Sequence, residues 1–389
     1  MQEDFHYYAT YCAAFLAGFN HEESKAICYS AQFVDLCSRT FLDGVGGPKE
    51  AATTQLMLEM LDAKTDLIGL QNITRIWASF HFLPFDLYNP IKHRKKKYKN
   101  KYRMICNSNG ALVADTVNLA KGKTLQAVGL AMHVLADTWA HKYFAGTPTL
   151  VINNTTDYFF ELIEKDGRLE ERKLQFTHNP KAKDDIDNSI YVNTIYQYEE
   201  NTVMNLGHGR VGHLPDLSFI RYKYMPAWGN YREIVKDNPD DYMHAFAQMV
   251  YAMRYLRGLE GDRFELNKYA WDVIEPYKDR LKSIIETRRL DASEDWKAFG
   301  EELSGAKIPA FDLSLYQEEY KTAEKENKNN TFLGGFFLAA IAQKSMVTKA
   351  IFTSKNPLAG IALDYNEKGL RGIKDYLKLM EYSGLDLTR

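Results

Sequence analysis

Residues 125–144, LQAVGLAMHVLADTWAHKYF, carry His133, Asp137 and His141 at strict four-residue steps. On an α-helix such steps keep side chains in one sector, drifting by about 40° each time. Leu125, Val128, Met132, Leu135, Ala136 and Trp139 fall on a neighbouring stripe, and Leu130 and Phe144 lie beyond the three polar groups. Only a thin strip around Ala127, Ala131 and Lys142 suits water, so the pattern predicts a helix buried nearly all round. Two imidazoles and a carboxylate buried without partners cost several kcal/mol. A metal ion is one good way to satisfy all three.

Helical signals dominate both ends of the chain. Asp4 is placed to cap a first helix reaching about Gly18, and Asn20 with Glu23 forms a capping-box pattern for a second, reaching about Leu42. Gly44–Pro48 reads as a loop, Lys49 to Asp66 as a long helix, and Asn72–Leu83 as another that stops before Pro84. The His133 helix is expected to end near Gly146. Between 149 and 235 the texture changes: TLVINNTTDYFF and IDNSIYVNTIYQY alternate polar with β-branched or aromatic residues, predicting some strand and much loop around a turn at Asp166-Gly167. Helical patterns resume with a cap at Asn238-Pro239 and continue to about Thr287. KTAEKENKNN (321–330) is a charged connector, and Phe332–Ala342 is too short to span a bilayer and reads as a buried helix. The expected architecture is one large, mainly α domain over 1–389, a multi-helix bundle around a metal cleft. Residues 1–148 form its metal-binding core, 149–235 a mixed loop and strand insertion completing the site, and 236–389 the C-terminal helices.

Composition narrows the classes of function. Over 389 residues, 49 Lys and Arg nearly balance 51 Asp and Glu, which gives no general reason to expect nucleic acid or membrane as partner. The four cysteines do not make a disulfide framework. Reduced thiols, an N-terminus without signal-peptide features and the lack of a long apolar run predict a cytoplasmic protein with no transmembrane segment. HRKKKYKNKYR (93–103) is the strongest local charge bias. It reads as a solvated loop, with contact to an anionic surface or phosphate-bearing substrate as its functional alternative. No P-loop, GxSxG or CxxC pattern offers another mechanism, and no histidine is followed by aspartate, which argues against an HD-type phosphohydrolase.

Further candidate ligands lie outside the central helix. Asp35, in HEESKAICYSAQFVDLCSRTFL, aligns with Ala31, Cys28 and Ile27 on an apolar face, and His81, in RIWASFHFLPFD, aligns with Trp77 and Ile73. His6 falls in the first turn of the first helix, two residues after Asp4. NLGHGRVGHLPDLSF sets His208, His213 and Asp216 in a glycine-rich loop whose backbone freedom lets side chains converge. His21, His93, His178 and His244 have no convincing partners in the sequence and read as structural or solvated.

The order Asp35, His81, then His133-x3-Asp137 resembles the ligand order of the zinc-dependent phospholipases C and the single-strand-specific nucleases grouped with them. A closer resemblance is to an uncharacterised bacterial branch with a DFHYYATY-type start, a His-x3-Asp-x3-His helix and a GHGxVGHLPD-type loop. The superfamily likeness implies an all-helical enzyme holding two or three zinc ions. By position, Asp35, His81, His133 and Asp137 would hold the first, His141 the second, and His6 part of a third, with Asp4 in place of an N-terminal amine. Asp35 would also orient or deprotonate the attacking water. The family's His-x3-Glu downstream of the helix is missing, and His208, His213 and Asp216 are the residues chemically suited to replace it. The implied activity is hydrolysis of a phosphodiester in a phospholipid, nucleic acid or small molecule. The alternative is a non-catalytic helical protein with a structural metal or a hydrogen-bonded His/Asp cluster.

Overall fold

The computed structural model describes residues 1–56, 59, 67–85, 87, 103–147, 150–165, 167–177, 179, 182–193 and 208–354. The chain is mainly α with a small sheet. A π-helical turn, Asp4–Ala9, runs into α1 (Thr10–Leu16), followed by α2 (His21–Phe33). The capping box forms: the Asn20 side chain accepts the Glu23 N–H at 2.9 Å and the Glu23 carboxylate accepts the Asn20 N–H at 2.9 Å. α2 stops at Phe33, well before the expected Leu42. Ser38 starts a new helix, Arg39–Val45, by accepting the Phe41 N–H at 3.1 Å. That helix includes Gly44 and ends on Gly46, whose φ of 70° is left-handed, so the loop begins later than the sequence indicated.

The helix expected from Lys49 does not form over residues 49–56, where only a 3-10 turn, Lys49–Ala51, is present. Thr53 explains this, because its hydroxyl donates to the Val34 carbonyl at 2.6 Å and its N–H to the Cys37 carbonyl at 2.9 Å. Those bonds strap the chain to the end of α2. Residues 57–58 and 60–66 lie outside the described residues, as do 93–102 of the basic run, His93 and His178.

Next come α3 (Leu67–Phe80), α4 (Ala111–Ala120) and α5 (Leu125–Ala140). α5 is the central helix, with every residue from Val128 to Ala140 buried. It packs against α2, α4, α6 (Asn238–Leu256) and α8 (Phe332–Thr353), so Ala131, expected on a wet strip, is buried too. α5 ends at Ala140 because Cys106 forms a bridge to the chain just beyond it. The Tyr143 N–H donates to the Cys106 carbonyl at 2.8 Å and the Cys106 N–H to the Phe144 carbonyl at 2.7 Å, with Tyr143 at φ 81°. At Gly129 the α2 backbone comes so near that an added Cβ would lie 2.2 Å from the Ile27 carbonyl oxygen.

Among the described residues, six strands lie in the expected mixed region, the last running just past its end: β1 (Thr155–Lys165), β2 (Arg168–Lys173), β3 (Gln175–Thr177), β4 (Ile190–Val192), β5 (Arg221–Pro226) and β6 (Ile234–Asp237). An antiparallel sheet in the order β2-β1-β5-β6 has register pairs Phe160 with Lys173 and Phe160 with Lys223, and β3 pairs with β4 in parallel. Phe159, Tyr222 and Tyr224 from this sheet join Phe82, Cys106 and Phe144 in a second core. That core fastens the sheet to the end of α5.

Helical signals after Asn238 are broken, not continuous to Thr287: α6 is followed by the short helices Trp271–Ile274 and Lys278–Glu286. Then come α7 (Ser293–Ser304) and α8, whose Leu333, Phe336, Phe337, Ala340, Val347 and Ile351 are buried. No helix among the described residues is long and apolar enough to cross a membrane. All four cysteines are free and buried.

Candidate metal centre

Asp137 sits at the middle of the cluster, with its side chain 1% exposed. His133 Nε2 lies 3.2 Å from its Oδ2, His81 Nδ1 3.1 Å from the same oxygen, and His6 Nε2 3.2 Å from Oδ1. Asp35 stands at the edge, 3.7 Å from His81 Nδ1, 3.8 Å from His133 Nε2 and 4.0 Å from His6 Nε2. Alongside, His141 Nε2 lies 3.1 Å from one Asp216 oxygen and His208 Nε2 2.9 Å from the other.

The outward nitrogens set the chemistry of the inward ones. His133 Nδ1 bonds the Ala31 carbonyl at 2.9 Å, His81 Nε2 the Thr53 carbonyl at 3.0 Å, and His141 Nδ1 the His81 carbonyl at 2.7 Å. A carbonyl only accepts, so each of these nitrogens carries the proton, and in the neutral ring the other nitrogen presents a lone pair. Those lone pairs turn toward carboxylates and toward each other: His81 Nδ1 and His133 Nε2 are 3.3 Å apart. Among the described residues, fully buried His6 makes no well-directed hydrogen bond through either ring nitrogen, its Nε2 only approaching Asp137, and it stacks on His133 with centroids 3.8 Å apart. Acceptors facing acceptors in a dry site need a shared cation or added protons.

The surrounding charges move the titrating groups. Burial alone would raise Asp137, but His141, the Met1 amine, His133 and His6 hold it well below the usual carboxylate range. Asp216 is likewise held well below that range, burial being outweighed by the Met1 amine, His208 and His141. Burial pushes His6 down to about 4, and His133 and the amine push the same way. The Met1 nitrogen lies 2.9 Å from Asp137 Oδ1 and 3.0 Å from Asp216 Oδ1. Burial would lower its pKa, but Asp137, Asp216 and Asp35 raise it to about 11.

Three sets have ligand atoms within 4.8 Å of one another: His6, His133 and Asp137; Asp35, His81 and His133; and His141, His208 and Asp216. Metal–nitrogen and metal–oxygen bonds of about 2.0–2.2 Å place two ligands of one ion up to about 4 Å apart. The sets therefore fit divalent ions after small side-chain shifts. His133 has a single inward nitrogen, so it serves only one of the two sets it joins. Imidazole and carboxylate donors are those that zinc and related divalent ions take.

The structure brings together Asp35, His81, His133, Asp137, His141, His208, Asp216 and His6. It does not bring Asp4 or His213. The Asp4 carboxylate accepts the Phe5 N–H at 2.7 Å and the Ala292 N–H at 3.2 Å, which turns it toward α7, and the Met1 nitrogen occupies the place expected for it. His213 Nδ1 bonds Asp184 at 2.8 Å on the exposed side of its loop. Asp35 is not on an apolar helix face: α2 has ended, and its side chain is 29% exposed in the following turn. His141 stands at the cap of α5, its N–H still bonded to the Asp137 carbonyl at 2.9 Å.

Two positioning features escape the sequence. Gly212, at φ 58°, brings its loop so near β4 that a Cβ would lie 2.1 Å from the Val192 carbonyl oxygen. Asn238 is not the helix cap, which is Asp237. Its side-chain amide donates to the carbonyls of Leu214 and Leu217, both at 2.8 Å, and approaches that of Pro215 at 3.4 Å. This clamp fixes Asp216 from α6. The adjacent asparagine and proline were a visible helix-start signal, but nothing local distinguishes a cap from a clamp.

Fold and site together define a mainly helical protein with a small sheet, whose buried and half-buried histidines and aspartates form clusters that could hold metal ions. The chain belongs to the family of unknown function DUF6765, which matches residues 1–351. No curated protein and no solved structure matches it.

Proposed function

We propose that the chain is a metal-dependent phosphodiester hydrolase, with zinc the leading candidate ion, two or three ions per chain, and a phospholipid, nucleic acid or small phosphodiester as substrate. The observation that supports it best is the convergence of Asp35, His81, His133 and Asp137, with lone pairs inward and Asp35 alone of the four substantially open to solvent. Divalent ions in such a set supply Lewis-acid polarisation of phosphoryl oxygens and lower the pKa of water. His81, His133 and Asp137 would hold the ion, each braced by the bonds described above. Asp35, reaching both the ion site and solvent, would orient the attacking water and accept its proton.

His6, His133 and Asp137 are almost wholly shielded from solvent, which favours a second reading for that part of the cluster, a closed structural ion. Metal content of protein purified without chelator, with hydrolysis of bis(4-nitrophenyl) phosphate, separates the two. On the catalytic reading Asp35→Asn lowers the rate by about 10²–10⁴-fold while the protein stays folded. Metal-rich protein with no hydrolysis would leave only the structural role, and undiminished hydrolysis by that variant would take the chemistry away from Asp35.

A further inference from the structure

Away from the histidine–aspartate cluster, a cavity of about 740 Å³ opens between the start of helix Arg39–Val45, α3 and α8. Its wall carries Arg39, Lys49, Arg75, Lys344 and Lys349 against one carboxylate, Glu50. Lys49 is paired with Asp43 at 3.1 Å, and Lys344 Nζ donates to the Glu50 backbone carbonyl at 2.6 Å. Arg39 and Arg75 differ from these. Among the described residues neither has an ion-pair partner, and the Nε of each is buried without an acceptor. Thr348 Oγ1, on the same wall, is also buried and unpartnered among the described residues.

Buried donors are nearly always satisfied, and half-buried guanidinium groups ordinarily find carboxylates. Here two of them converge with a lysine, so the wall concentrates positive charge in a low-dielectric recess. Lys344 registers this: burial first, then Arg39 and Arg75, push its pKa down to about 8. An anion with several acceptor oxygens would resolve both the repulsion and the missing hydrogen bonds, and the planar fork of arginine matches phosphate oxygens two at a time. Ile76, Ile341 and the exposed ring of Phe352 add an apolar surface beside the charges. The volume lies in the range of pockets for organic ligands.

We infer that this cavity binds a phosphate-bearing molecule, with its phosphate held by Arg39 and Arg75 alongside Lys344 and Thr348 and its apolar part against Ile76, Ile341 and Phe352. The site is separate from the proposed hydrolytic centre, and none of its lining residues belongs to that cluster.

Lysine acylation at about pH 8, mapped by mass spectrometry on the full chain, reads the site directly. A phosphate in contact raises the pKa of Lys344 by about 1–3, and a rise of 1 lowers its free-amine fraction about fivefold at that pH. Inorganic pyrophosphate should therefore lower Lys344 labelling about fivefold or more while the exposed Lys307 is unchanged. Vesicles of phosphatidic acid, compared with phosphatidylcholine alone, distinguish a lipid headgroup from a soluble phosphate. Arg39→Gln/Arg75→Gln should abolish the protection. Because it removes uncompensated charge, its Tm without ligand should match or exceed that of the parent. Arg75→Gln alone, a milder change, should weaken the protection. Lys344 labelling unaffected by both pyrophosphate and phosphatidic acid, or protection that persists in the double variant, would overturn the assignment.

Discussion

Gly129→Ala tests how the metal cluster is held together. In an ordinary helix interior this change stabilises by about 1 kcal/mol. Here the new methyl would stand 2.2 Å from the Ile27 carbonyl oxygen and 2.7 Å from Ser30 Cβ. Carbon and carbonyl oxygen settle at about 3.3 Å, so α2 and α5 must part by about 1 Å at this point. The same displacement stretches the bond from His133 Nδ1 to the Ala31 carbonyl, now 2.9 Å, beyond hydrogen-bond length. Overpacking costs about 1–3 kcal/mol and the lost bond about 1 kcal/mol, so the steric loss exceeds the propensity gain. The protein should be destabilised by about 1–3 kcal/mol. Loss of the group that fixes a ligand histidine typically lowers metal affinity about 10–100-fold. The assay is competition for metal against a chromophoric chelator, read beside thermal unfolding. Gly44→Ala is the control, because it sits inside a helix and nothing lies within 4 Å of the point its new methyl would occupy. It should leave metal affinity unchanged and stability equal or slightly higher. If Gly129→Ala matched Gly44→Ala in both measurements, the close approach of α2 would not be what orients His133.

Three further outcomes follow from the same geometry. Asn238→Ala removes the donor to the carbonyls of Leu214 and Leu217 and should cost about 1–3 kcal/mol. It should weaken metal bound by His141, His208 and Asp216 more than metal bound by Asp35, His81 and His133, which sequential metal titration would resolve; equal weakening at both would contradict the clamp. Chelation of bound metal should lower Tm, because the lone-pair nitrogens and carboxylates of the cluster lose their shared cation. Ligand imidazoles must be neutral, so metal affinity should fall as pH drops from about 7 toward 4 and protons compete for the inward nitrogens, with His81, raised by Asp137 and Asp35 against its burial, protonated before His6, which burial holds down to about 4. A Tm indifferent to chelator, or affinity flat across that range, would mean that the cluster is held by hydrogen bonds alone.

Whatever is local could be read from the chain alone. The four-residue steps of His133, Asp137 and His141 place them on one side of α5, and Asn20 with Glu23 forms the capping box of α2, because helix geometry and capping depend only on near neighbours. The mainly α class and the position of the sheet region follow from the same patterns. The remainder came from tertiary packing. Asp35 looked like a buried helical residue, but Ser38 and the Thr53 strap end α2 first and leave its carboxylate at the solvent edge. Asp4 and His213 had suitable chemistry, yet Ala292 and Asp184 claim them, while Asn238 crosses from α6 to fix Asp216. None of these partners is near its counterpart in the chain, and backbones that are equally distant in sequence come into contact at Gly129 and Gly212. A ligand pattern read along one helix names the donors. Which of them meet is decided by interhelical distances of a few ångströms, and those depend on packing the whole core at once.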